Sequence, residues 1–140
     1  MNLKRRSLLI TGSVVVLATL AIGGYKAFGS SGQGPRRPSL AQLQAWQDPL
    51  PQITTNLQGT SVIQITFTLQ ASDNAVLTQL QQSAAQVQDA AVGVLHRLTA
   101  AQVMRPDGRQ VIKRLLTERI NGLLTSGHIT TVYINSMIVQ

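Results

Sequence analysis

Read from Ile53 onward, apolar positions recur at every second residue, then at every third or fourth, and finally at every second again. Ile63, Ile65, Phe67 and Leu69 alternate with Gln64, Thr66, Thr68 and Gln70, the period of a half-buried strand. A shorter strand, Ile53–Leu57, precedes it across a turn at Gln58-Gly59. Ser72-Asp73-Asn74 then offers helix caps. After them Val76, Leu80, Val87, Ala91, Val94 and Leu98 recur at helical steps, which predicts one helix running through to Leu98. Thr99-Ala-Ala-Gln102 has capping-box spacing and starts a short new helix. Arg105-Pro-Asp-Gly108 is a tight turn, and Asp107 suits the positive end of the next helix. That helix, Arg109–Leu124, buries Val111, Ile112, Leu115, Leu116, Ile120 and Leu123. Ser126-Gly127 stops it. In the run to Gln140, Val132, Ile134 and Ile138 alternate with Thr131, Tyr133 and Met137, which predicts a closing strand. The order is β-β-α-α-β: an α+β fold with an antiparallel or mixed sheet covered by helices on one side. A closing strand held by ladder hydrogen bonds makes the last few residues worth more stability than their number suggests.

The first forty residues follow a different pattern. Ser7–Gly24 is eighteen residues without a charge, about 27 Å as a helix, close to the thickness of a bilayer core. Leu8, Leu9, Ile10, Val14, Val15, Val16, Leu17, Leu20 and Ile22 supply its apolar surface, and Tyr25, Lys26 and Phe28 follow as interfacial anchors. Lys4, Arg5 and Arg6 precede it, so the positive-inside rule keeps the N-terminus cytoplasmic and sends the remainder out. The competing reading is a cleaved signal, with Ala27-Phe28-Gly29 as a small-x-small site. Ser30–Pro38 has the Gly/Ser/Pro composition of a linker, and Ser39 is placed to cap a short helix in which Leu40, Leu43 and Trp46 share a face. Asp48-Pro-Leu-Pro51 ends that element. The expected partition is a cytoplasmic start at 1–6, a transmembrane helix at 7–28, a linker at 29–48 and an outer domain at 49–140.

Charge at first suggests nucleic acid, because the formal net charge is +7. Its distribution argues otherwise. Before Asp48 there are six basic residues and no acid; from Asp48 on, six basic residues face five acids, a balance of +1. Phe67 and Tyr133 are the only strand aromatics, and Phe67 falls on the apolar face, so no stacking platform forms. Only 12% of residues are charged, which argues against a solvated disordered chain, and zero cysteines exclude disulfides and thiolate metal sites. His96 and His128 lie far apart with no acidic neighbour in sequence, the five acids are scattered, and Gly29–Gly34 fits no phosphate loop. The reading is a binding module rather than an enzyme, with no cofactor, no metal, no small-molecule substrate and no nucleic acid.

Three stretches occur in order at close spacing: VQDAAVGVLHRLTAAQV (Val87–Val103), DGRQVIKRLLTERINGLL (Asp107–Leu124) and VYINSMIVQ (Val132–Gln140). With Thr54–Leu57 (TTNL), this succession resembles the FliL family, the flagellar basal body-associated proteins of bacteria. The chain departs from the family pattern at Gln88, where an arginine is common, and at Ser136 and Met137, where an acid and an aromatic are common. The resemblance implies a single-pass inner-membrane protein with a periplasmic domain similar to the stomatin-like (SPFH) fold. It further implies a ring-like homo-oligomer that contacts flagellar stator and basal-body ring proteins in support of swimming, swarming and chemotaxis. The expected contact surfaces are the polar helix face of Gln79, Gln82 and Gln86 and the cations Lys113, Arg114 and Arg119. A bitopic scaffold of the same fold in a non-flagellar complex is the alternative.

Overall fold

A computed structural model describes residues 37–140. The anchor side chains Leu8–Ile22, the topology residues Lys4, Arg5 and Arg6, and linker residues 29–36 lie outside the described residues. Among the described residues no helix is long and apolar enough to cross a membrane.

The centre of the domain is the long strand whose alternation is plainest. We number the elements α1 (Leu40–Ala45), β1 (Gln47–Pro49), β2 (Ile53–Asn56), β3 (Val62–Ala71), α2 (Asn74–Gln82), α3 (Ala84–Leu95), α4 (Ala100–Val103), α5 (Gly108–Asn121) and β4 (Ile129–Val139). The pairings among these four strands are antiparallel. β4 runs along the whole of one edge of β3, while β1 and β2 share the other edge end to end, β1 beside Thr68–Gln70 and β2 beside Val62–Ile65. The mixed α+β class is therefore as expected, with the sheet antiparallel throughout. One strand was not expected: the Asp-Pro-Leu-Pro stretch does more than end α1. Pro49 lies opposite Thr68 on an edge strand, where its missing N–H costs no ladder bond.

Ile63, Ile65, Phe67, Leu69 and Ala71 project from one face of β3 and are all at most 1% exposed. Helices α2, α3 and α5 cover that face with Val76 and Leu80, with Val87, Ala91 and Leu95, and with Ile112, Leu116 and Ile120. The last three recur every fourth residue, a stripe along one side of α5. Among the described residues, α1 covers one end of the opposite face of the sheet, where it lies against Gln70. The Gln70 amide donates to the Leu43 carbonyl (2.9 Å) and receives a bond from Gln47 (3.3 Å), so this buried polar side chain is satisfied. Ser39 caps α1 through a full capping box with Gln42, but Leu40 is 83% exposed instead of packing with Leu43 and Trp46.

Two further expectations are corrected. The helix predicted to run from Asp73 to Leu98 is two helices, divided at Ser83. No side chain between Leu80 and Val87 is both apolar and larger than alanine, so nothing anchors those turns to the core and the chain is free to bend. In β4 the face alternation does not persist. Thr66 lies opposite Ser136 but Phe67 opposite Ile134, leaving Asn135 as an extra residue in a bulge. Val132 and Ile134 share the core face as expected. Beyond the bulge Met137 and Val139 take that face instead, and Ile138 turns outward at 49% exposure.

The C-terminal end of β4 is held by backbone. Gln140 N–H donates to the Val62 carbonyl (2.9 Å) and Val62 N–H to the Gln140 carbonyl (2.8 Å). At its other end, Asn121 of α5 accepts from Ile129 N–H (2.7 Å), and Gly127 turns the chain with φ +68°, a left-handed conformation that suits glycine.

Candidate functional site

The six sequence-predicted surface residues do not form one patch of equal character. Gln79 is already engaged. Its Oε1 accepts from Thr125 N–H (3.1 Å) and Thr125 Oγ1 (2.8 Å), while its Nε2 donates to the Ser126 carbonyl and Oγ (3.2 Å each). With both ends of its amide used, Gln79 clamps the loop between α5 and β4 and is half-buried there. Gln82 and Gln86 remain exposed on either side of the break at Ser83. Gln82 borders a hollow of about 230 Å³ with Gln79, Val87 and Leu124. On α5, Arg114 and Arg119 are exposed, but Lys113 is half-buried.

All six basic residues from Asp48 onward lie between Arg97 and Arg119, on the end of α3, the α4–α5 turn and α5. Among the described residues the one ion pair is Arg105–Asp107 at 3.1 Å, with both side chains largely solvated, so it contributes little stability. Arg97, Arg109, Lys113, Arg114 and Arg119 have no carboxylate within ion-pair distance among the described residues. Two of them border a cleft of about 390 Å³ where α3 meets α5. Val94, Leu98 and Leu115 line it with apolar surface, and Arg97, Glu118 and Arg119 form its rim. The Arg97 Nε donates to the Gly93 carbonyl (3.1 Å), which holds the guanidinium close to the helix end. Sequence reading picked out Arg119 but not Arg97. Only the crossing of α3 and α5 brings them to one cleft.

The remaining titratable groups are structural in setting. His96 Nε2 and Thr55 Oγ1 lie 2.6 Å apart, joining the end of α3 to β2. Asp73 caps α2: its carboxylate accepts from Val76 N–H (3.0 Å) and Ser72 Oγ (3.0 Å), bonds that hold its pKa below the usual carboxylate value. Asp48 is half-buried in β1, and desolvation raises its pKa. No group of three metal-ligating side chains occurs among the described residues.

The arrangement offers binding surface: an apolar cleft rimmed by Arg97, Glu118 and Arg119, and exposed amides at Gln82 and Gln86. Comparison with known proteins places this surface in context. The chain is 28% identical over 112 residues to the flagellar protein FliL of Bacillus subtilis (strain 168), covering 80% of each chain. It is 27% identical over 83 residues to the flagellar protein FliL of Aquifex aeolicus (strain VF5), covering 59% of this chain and 52% of that one. The profile of the family described as "Flagellar basal body-associated protein FliL" matches residues 49–140, the stretch that holds the sheet from Pro49 onward and every helix packed on it except α1. The chain belongs to the FliL family of flagellar basal body-associated proteins.

Proposed function

We propose that this protein is a single-pass inner-membrane component of the flagellar motor whose outer domain oligomerises and braces the stator. The uncharged run Ser7–Gly24 behind Lys4, Arg5 and Arg6 is the anchor. The domain beyond the linker stands in the periplasm, takes an SPFH-like arrangement and works by contact rather than by turnover. The observation that carries the reading is the family match across residues 49–140. The unpaired cations on the helix layer add the physical reason, since that face offers charge to a partner without first breaking an internal pair. A ring requires head-to-tail contacts between two different faces of the same domain. The exposed amides Gln82 and Gln86 and the outward side of β4, with Tyr133 and Ile138 each nearly half exposed, are faces of unlike chemistry that meet that need.

The test is crosslinking in intact flagellated cells, membrane solubilisation, and recovery through a tag placed within Ser30–Gly34. Stator and basal-body proteins recovered together with self-crosslinked multimers are the expected result. Recovery of this chain alone, or with unrelated membrane proteins, from cells confirmed to bear flagella overturns it.

A further inference from the structure

We propose that the α3–α5 cleft is the seat for an acidic amphipathic helix of a partner protein, held by Arg97 and Arg119 over the apolar floor of Val94, Leu98 and Leu115. The proposal rests on the reading that this domain binds a motor protein, and it names the chemistry of the segment bound.

Shape comes first. A depression between two packed helices is a groove in which a third helix lays its apolar face, its anchors spaced three and four residues apart. The volume of about 390 Å³ falls at the low end of small-molecule sites, about 300 to 1,000 Å³, so it is the placing of the polar groups that decides, since such sites carry a few convergent ones. Here the polar groups do not converge on the floor; they stand on the rim. Charge comes second. Arg97 and Arg119 are exposed and lack carboxylate partners among the described residues, and two guanidinium forks beside an apolar strip match carboxylates flanking an apolar stripe.

A second copy of this chain does not supply such a segment from its described residues. α1 and α2 hold no acid, and the single acid of α3, Asp89, sits on a helix whose apolar stripe is already buried in its own core. Glu118 of α5 is itself part of the cleft. The occupant therefore comes from another protein.

The experiment places a photocrosslinker in the full-length chain in flagellated cells, Glu118→p-benzoylphenylalanine for the cleft and Gln86→p-benzoylphenylalanine outside it. Mass spectrometry then reads the joined peptides. The expected product at position 118 is a peptide of a motor protein with acidic residues at helical spacing beside apolar ones. Adding R97E and R119E lowers that yield by about tenfold, R97K with R119K retains most of it, and products from position 86 stay unchanged. A product at 118 with lipid, with a second copy of this chain, or with a neutral or basic peptide overturns the proposal, as does a yield indifferent to R97E and R119E. If position 86 joins motor proteins while position 118 joins none, the cleft proposal fails and the motor reading stands. If neither position joins a motor protein, both fail.

Discussion

Deleting Val139 and Gln140 tests what secures β4. The truncation removes the reciprocal pair of backbone bonds between Gln140 and Val62, at 2.9 and 2.8 Å. Each contributes about 1 kcal/mol net. It also removes Val139, which is half-buried opposite Ile63 on the core face, and a partly buried valine adds about 1 kcal/mol. The total is about 3 kcal/mol, which for a domain near this size lowers the melting temperature by about 10–15 °C. Residues 38–140 form one compact unit with their own core, so the assay is thermal unfolding of that domain followed by circular dichroism. Gln140→Ala is the control: the Gln140 side chain is exposed, so removing it while keeping the backbone changes stability by less than about 0.5 kcal/mol. A truncated domain that melts within about 2 °C of the parent refutes the ladder as the clamp. A Gln140→Ala variant as unstable as the truncation assigns the effect to the side chain and refutes the backbone account.

Three further outcomes follow from particular contacts. Gln79→Ala releases the Thr125–Ser126 loop and costs about 1–2 kcal/mol, visible as faster amide exchange at Thr125 than at core positions such as Ile112; unchanged exchange at Thr125 contradicts the clamp. Gly127→Ala destabilises more than Gly59→Ala. Both have positive φ, but a Cβ at 127 runs into Val76 Cγ2 whereas at 59 it meets open space; equal costs in urea unfolding remove packing from the explanation. Asp73, whose folded pKa is depressed, contributes stability that is fully present above its ordinary value of 3.8 and is lost as pH falls through the lower folded value. Asp73→Asn keeps a capping side chain but flattens that loss in acid melts, and an unchanged acid limb counts against the cap.

Where local chemistry decides structure, the sequence was readable. The alternation of β3, the cap at Ser39 and the capping box at Thr99 each depend on residues a few positions apart, whereas α5 ends at Asn121, before the expected stop at Ser126-Gly127. What escaped depends on neighbours far along the chain. The bulge at Asn135 exists because β4 must match β3, and Asn135 Nδ2 donates to Thr68 Oγ1 at 3.1 Å across the ladder; no pattern within the VYINSMIVQ run announces it. β1 is three residues long and contains a proline, so it is a strand only by virtue of the edge beside it. The division at Ser83 was visible in principle as the lack of a large apolar side chain from Gln81 to Gln86, a gap that the regular spacing on either side masks. The candidate site was half readable: cations on α5 stand out, but Arg97 joins Arg119 only through helix crossing, and Gln79 looks free until the loop it holds is seen.

The position of α1 carries a mechanical consequence. A pull applied on the N-terminal side of Pro38 reaches first α1, which is fastened to the sheet through the Gln70 amide, and next β1, which is only three residues long. Load arriving there meets the Gln70 contact and the three-residue β1 before the long β3–β4 ladder. Pulled from Pro38, the domain is expected to release α1 and β1 first and to keep the core that displays the cleft until a second, larger rupture.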